Sequence, residues 1–117
     1  MRLLIVCGLI LLLSGCDQGA PVNPDPSYKD DIQPIFTASC VACHSGSTPS
    51  GSYDLSSRAG CLGNGSDTVP NVCAGSADSS LLFQKLDQGL MPKNSPALDQ
   101  TKIALVRNWI NKGAKDN

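Results

Sequence analysis

The stretch Cys40-Val41-Ala42-Cys43-His44 decides how the rest of the chain is interpreted. C-x-x-C-H is the pattern of c-type haem attachment. Two thiols at this spacing lie on one turn of the chain, where each can add to a vinyl group of the porphyrin. The imidazole that follows them is then carried to the iron as an axial ligand. Because His44 is the only histidine, the stretch predicts one haem c, bound through Cys40 and Cys43 and ligated by His44.

Met91 is predicted to be the second iron ligand. The only other methionine is Met1, which lies in a segment expected to be removed. A thioether is a soft ligand, and His/Met ligation raises the reduction potential of a haem. Pro92 biases Met91 towards extended backbone, as in a loop that presents sulfur to a flat ligand. The alternative is an ordinary methionine that fills a gap in the core.

Two other interpretations of the motif cysteines stay open. A thioredoxin-like redox pair also has the spacing C-x-x-C, but it belongs to a βαβ context that this sequence lacks. A zinc site would need Cys61 and Cys73 as further ligands, and that pair is spaced far more widely than in a usual zinc knuckle.

Composition limits the chain to one small domain. It has 117 residues, a net charge of −1 and 4% aromatic residues, so a porphyrin would supply much of the apolar bulk of the core. The near-zero charge offers no argument for a nucleic-acid partner. Six cysteines in so short a chain indicate an oxidising compartment.

The first 27 residues predict export and a membrane anchor. An apolar run over residues 3–13 would span only about 17 Å as a helix, short of the roughly 30 Å hydrocarbon core. Residues 1–15 therefore predict a signal peptide, and Leu13-Ser14-Gly15-Cys16 resembles the lipobox of bacterial lipoproteins, with lipid on Cys16. The alternative is an ordinary secretory signal. Residues 16–27 predict a flexible, proline-rich tether too polar to pack, and residues 28–117 the haem domain.

Three amphipathic stretches predict helices. Ile32, Ile35 and Phe36 form an apolar stripe that leads into the motif, in a helix that should begin near Pro34 after a short turn. A second helix is predicted over residues 79–87. A third begins after Asp99 as its cap, ends at Asn111 before Gly113, and buries four residues, with the tryptophan packed against the first helix: Ile103, Val106, Trp109 and Ile110.

Several residues between the motif and Met91 carry further predictions. The second ring nitrogen of His44 should donate to a backbone carbonyl near Pro49, which would orient the ring. Leu55 is predicted to lie against the porphyrin. Arg58 is a candidate partner for a haem propionate, since guanidinium and carboxylate groups are well matched; the alternative is a solvated surface arginine.

Cys61 and Cys73 bracket a loop without hydrophobic periodicity. In an exported chain they are predicted to form a disulfide, which would contribute about 3 kcal/mol for a ring of this size. Two free thiols are the alternative. Asp67 and Asn64 offer a weak calcium site, with too few acidic groups to predict binding.

At these motifs the chain resembles the small bacterial single-haem cytochromes c of the class I fold. The resemblance rests on Cys40-Val41-Ala42-Cys43-His44, on Met91-Pro92, and on the order of the helical segments, and it covers roughly residues 28–114. It implies an all-α domain of three to four helices around one covalently bound haem, with His44 and Met91 as axial ligands and one haem edge exposed. The segment that carries Cys61 and Cys73 departs from the simplest members.

The function expected from these features is electron transfer, without enzymatic turnover. With both axial positions filled, the iron offers no place for a substrate. The carrier would face the periplasm or the cell surface, anchored to a bacterial membrane by lipid, and exchange electrons with redox partner proteins. The alternatives are a haem-based sensor, which needs an open distal position, and the electron-entry subunit of a larger redox enzyme.

Overall fold

The computed structural model describes residues 19–117, and within this range the chain is helical. No strand is present in the described range; an isolated antiparallel bridge joins Cys73 and Ser76. Four α-helices follow one another, with bounds α1 Gln33–Ser39, α2 Arg58–Cys61, α3 Leu81–Asp87 and α4 Gln100–Asn111. The all-α prediction is confirmed, and the architecture is consistent with a small cytochrome c-like domain. The predicted signal peptide (residues 1–15) and Cys16 lie outside the described residues.

Helix α1 delivers the attachment motif. A π-helical segment, Tyr28–Ile32, precedes it and is capped by Ser27, whose hydroxyl accepts from the Asp30 amide. Pro34 lies in the first turn of α1, where its missing N–H leaves no bond unmade. The predicted stripe is buried, with both Ile32 and Phe36 at 0% exposure. The prediction of a helix from about Pro34, after a short turn, is confirmed.

Helix α4 forms the back of the core. Its cap is Asp99, whose carboxylate accepts from the Lys102 amide at 2.9 Å, and Gly113 leaves the helix at φ +102°. The predicted stripe is buried. The centroid of the Trp109 ring lies 5.5 Å from that of Tyr28 and 6.4 Å from that of Phe36. The bounds and the packing of Trp109 against α1 agree with the prediction.

Helix α3 begins two residues later than predicted, because Ser80 is its cap and not its interior. The Ser80 hydroxyl accepts from the Cys73 amide and donates to the Ser76 carbonyl, each at 2.8 Å. These bonds hold the preceding turn against the start of the helix. At the other end, Gly89 leaves the helix at φ +69°, which directs the chain into the Met91 loop.

The last residues of the predicted tether pack on the domain, which corrects that prediction for residues 23–27. Pro26 is among the fully buried side chains. The side-chain Nδ2 of Asn108 donates to the Asn23 carbonyl at 2.9 Å, and the Ser27 hydroxyl donates to the Asn117 carbonyl at 2.8 Å. Polar composition argued against packing, but the C-terminal residues supply the partners that this segment needs. No helix in residues 19–117 has the length and apolar character to cross a bilayer.

Candidate functional site

The attachment motif forms one compact turn at the end of α1. The amides of Cys43 and His44 both donate to the Cys40 carbonyl, at 3.2 and 2.9 Å. The Ser45 hydroxyl closes the turn with a 2.7 Å bond to the Val41 carbonyl. Cys40 is buried, Cys43 is exposed and His44 is half-buried. The turn therefore presents both thiols and the imidazole from one short segment of backbone.

The segment that follows holds His44 at two points. Its ring Nδ1 lies 3.2 Å from the Tyr53 carbonyl, and its own carbonyl accepts from the Leu55 amide at 2.7 Å. A carbonyl only accepts, so Nδ1 carries the hydrogen and Nε2 keeps its lone pair for a metal. The expectation of a carbonyl near Pro49 is wrong in position, because the chain folds back and brings Tyr53 to the ring.

A cleft of about 770 Å³ opens beside this turn, within the 300–1,000 Å³ range of ligand pockets. The structure brings five of the predicted haem-binding residues to its lining: Cys40, Cys43, His44, Leu55 and Met91. Leu55 is 3% exposed, and Met91 is half-buried. Residues more than forty positions apart in the chain therefore share one cavity.

The loop after α3 carries Met91 to the cleft. The amides of Leu90 and Met91 both donate to the Lys85 carbonyl, at 2.9 and 3.2 Å, so the loop is tied back to the end of the helix. The Met91–Pro92 peptide bond is cis. This anchoring fixes the backbone from which the thioether projects.

The apolar wall of the cleft includes three residues that sequence reasoning did not assign to the site. Leu82 and Leu86 lie one turn apart on α3, and Leu98 precedes α4; all are under 10% exposed. The i, i+4 spacing on α3 was the available signal, but it equally predicts an ordinary core face. Tyr53, also in the lining, carried no such signal.

Charged groups in the lining come from Lys85, Lys93 and Asp67. The buried Asn71 adds an amide, whose nitrogen donates to the Gly63 carbonyl at 3.0 Å. Two ammonium groups against one carboxylate suit a ligand with acidic substituents.

Arg58 does not reach the cleft, which corrects its prediction as a propionate partner. Its Nε donates to the Ala114 carbonyl at 2.9 Å. It lines a separate shallow depression with Tyr28, Lys29 and Asp116. This bond holds the guanidinium on the other surface and joins the start of α2 to the chain after α4.

Cys61 and Cys73 are both free, so the predicted disulfide is not supported. The Cys61 thiol lies in the core at 0% exposure, 3.9 Å from the Tyr28 hydroxyl. Cys73 sits in the turn that docks on Ser80. The two ends of the loop thus belong to different packing environments. Burial raises the pKa of the Cys61 thiol to about 12 and that of Cys40 to about 11.

The alternative metal sites find no support in residues 19–117, where no group of three or more His, Cys, Asp or Glu side chains is placed to hold an ion. Asp67 is a lone carboxylate in the cleft lining. A zinc cage would need at least three ligands placed together, and Cys61 and Cys73 form no such group with the motif cysteines and His44 in the described residues.

Comparison with known proteins gives one result. Residues 40–95 match the protein family described as Planctomycete cytochrome C. The match supports a c-type cytochrome. It begins at the first motif cysteine and extends beyond Met91, and it suggests an electron-transfer haem protein with covalently bound haem c. Searches of curated proteins and of solved structures found no match.

The residues that line the cleft fit the cofactor of a c-type cytochrome. Two thiols and an imidazole with a free Nε2 meet leucine walls and a methionine thioether in one cavity of suitable volume. These are the donor types and the apolar surroundings that a covalently held haem requires. Lys85 and Lys93 supply cationic groups that match its acidic substituents.

Proposed function

We propose that this chain is an electron carrier with one haem c, attached through Cys40 and Cys43 and ligated by His44 and Met91. The observation that carries the proposal is the shared cleft, in which the attachment motif and the one methionine of the described chain both take part. The family match over residues 40–95 supports the same class of protein.

Each residue of the site has a distinct part in this function. When bound, the haem supplies a one-electron Fe(III)/Fe(II) couple. Cys40 and Cys43 would retain it covalently, and His44 would offer Nε2 while its Nδ1–H donates to the Tyr53 carbonyl. The Met91 thioether would be the second ligand, and a thioether favours the reduced iron. Leu55, Leu82 and Leu86 would keep water away, which limits reorganisation on electron transfer.

Redox partner proteins would approach at the open side of the cleft. Cys43, which lines the cleft, is exposed, and so is Leu90, at 53%, which precedes the lining residue Met91. Filled axial positions favour a carrier over a haem-based sensor, which needs a distal position open to a gas. Rapid carbon monoxide binding by the reduced protein would favour the sensor.

The covalent attachment is tested by expressing the full chain with a bacterial system that matures c-type cytochromes. We expect the denatured protein to retain its pigment, with an added mass of one haem. Cys40→Ala and Cys43→Ala should each form one thioether bond instead of two, so their pyridine haemochrome spectra should show one unsaturated vinyl group. The double variant should lose covalent pigment. Cys73→Ala, a half-buried cysteine outside the cleft, is the matched control and should retain both bonds. Loss of pigment on denaturing the unmodified protein would contradict the proposal.

We also propose export and anchoring through lipid on Cys16, supported by the residues that precede it. Several acyl chains on one residue give stable membrane attachment, whereas a single chain is marginal. Cys16→Ala should therefore move the haem protein from the membrane fraction to the soluble periplasmic fraction, with an unchanged visible spectrum. A Cys16→Ala variant that stays in the membrane fraction after its leader has been removed would rule out lipid on this residue as the anchor.

A further inference from the structure

We propose that the loop of residues 61–71 acts through Tyr53 as a brace for His44, which makes Tyr53 a positioning residue that holds the reduction potential down. The inference rests on the proposed function, since it concerns the axial ligand of a bound haem. It assigns a role to the segment that departs from the simplest cytochromes c.

The first link consists of two hydrogen bonds between His44 and residues 53–55. The Nδ1–H of the ring donates to the Tyr53 carbonyl at 3.2 Å, and the Leu55 amide donates to the His44 carbonyl at 2.7 Å. The Tyr53 and His44 rings also meet edge to face, with centroids 6.0 Å apart. Any movement of Tyr53 therefore displaces the acceptor that orients the imidazole.

The second link is the bond between Tyr53 and Cys61, the residue that ends α2 and begins the loop. The Tyr53 side chain is 8% exposed, and its hydroxyl donates to the Cys61 carbonyl at 2.8 Å. Cys61 is itself fixed, with no exposed surface and with Ser57 as the acceptor of its amide at 3.0 Å.

The third link is a close backbone contact between the loop and the chain just before Tyr53. The Ser66 amide donates to the Gly51 carbonyl at 2.7 Å. A Cβ atom on Gly65 would come within 2.7 Å of the Gly51 oxygen and 3.3 Å of the Tyr53 Cβ. Only glycine permits this approach. The loop therefore contacts the segment that holds His44 at two points, the Gly51 carbonyl and the Tyr53 side chain.

The consequence concerns the basicity of the iron ligand. A hydrogen bond from Nδ1–H to a carbonyl increases electron density on Nε2. That stabilises Fe(III) more than Fe(II), so the brace lowers the potential below the value that a loosely held imidazole would give. Methionine ligation raises the potential, and the brace opposes it in part.

The test compares two Tyr→Phe variants of the haem-loaded protein. Tyr53→Phe removes the bond to the Cys61 carbonyl. Tyr28→Phe removes the hydroxyl of another buried tyrosine, which lies 3.9 Å from the Cys61 thiol and makes no bond to residues 53–55. We expect Tyr53→Phe to raise the midpoint potential by up to about 59 mV, a tenfold change for one electron. The potential of Tyr28→Phe should stay at that of the unmodified protein.

A second readout follows the hydrogen bond itself. His44 is the only histidine, so the NMR signal of its Nδ1–H in the reduced protein needs no further assignment. Exchange of this hydrogen with solvent should become faster in Tyr53→Phe and remain slow in Tyr28→Phe. Equal potentials and equal exchange in the two variants would overturn the brace, because the hydroxyl would then matter only for general core stability.

Gly65→Ala provides an independent variant if Tyr53→Phe does not fold. The added Cβ pushes the loop and the segment apart, so the potential should rise here too, and an unchanged potential would overturn the proposal. Failure of the proposed function has a different signature. It would appear in the unmodified protein, as missing covalent pigment or missing sulfur ligation.

Discussion

Met91→Ala is expected to lower the midpoint potential of the haem-loaded protein by on the order of 100 mV, within the roughly 0.8 V range that axial ligands control. The thioether stabilises Fe(II) relative to Fe(III), and alanine leaves that position to water or to no ligand. The weak long-wavelength charge-transfer band of sulfur ligation should disappear from the oxidised spectrum. Carbon monoxide should bind rapidly to the reduced variant, and only slowly to the unmodified protein.

Leu90→Ala is the matched control for this experiment. Leu90 precedes Met91 in the same loop, and its amide also donates to the Lys85 carbonyl, but its side chain is exposed and does not line the cleft. Its truncation should leave the potential, the charge-transfer band and the slow carbon monoxide binding unchanged. A Met91→Ala variant that behaves like Leu90→Ala would show that Met91 is an ordinary wall residue.

Of the substitutions proposed for this protein, Trp109→Ala is expected to lower the free energy of unfolding most. Trp109 is 1% exposed and packs on Tyr28 and Phe36, so its removal leaves a cavity between α4 and the first helical segments. Such truncations cost about 3–5 kcal/mol, a large part of the roughly 5–15 kcal/mol that stabilises a typical domain. Thermal unfolding of the haem-loaded protein should show a fall in Tm of at least ~12 °C.

Trp109→Phe separates ring packing from hydrogen bonding. It keeps an aromatic ring but loses the 3.0 Å bond from Nε1–H to the Lys115 carbonyl, which is worth about 1 kcal/mol. Because Trp109 does not line the cleft, both variants should keep the sulfur-ligation band at low temperature. Equal losses in the two variants would contradict a packing role for the ring.

The helices were predictable because their signals are local. The stripe that leads into Cys40, the Asp99 cap and the Gly113 stop each involve a few neighbouring residues, and the structure has α1 and α4 where these signals predict them. The start of α3 was misjudged by two residues. There, the Ser80 side chain bonds to the Cys73 turn, a contact that periodicity does not report.

The placement of the Arg58 and Cys61 side chains depends on contacts between residues far apart in the chain. A guanidinium near a haem motif and a cysteine pair around a loop are reasonable chemical signals, but they do not determine which way the side chains point. Arg58 reaches a carbonyl 56 positions away, and Cys61 turns its thiol towards Tyr28, 33 positions away. Residues 23–27, too, pack only because the C-terminal end of the chain lies beside them.

By itself the sequence determined the attachment turn, the helical class and the residue types of the candidate haem site, because these follow from short spacings and local backbone preferences. Only the tertiary structure decided that Tyr53 and not the Pro49 region accepts from His44, that Arg58 faces away, and that both loop cysteines stay free. These outcomes are set by which loops pack together. Such packing depends on contacts between distant residues that no local pattern records.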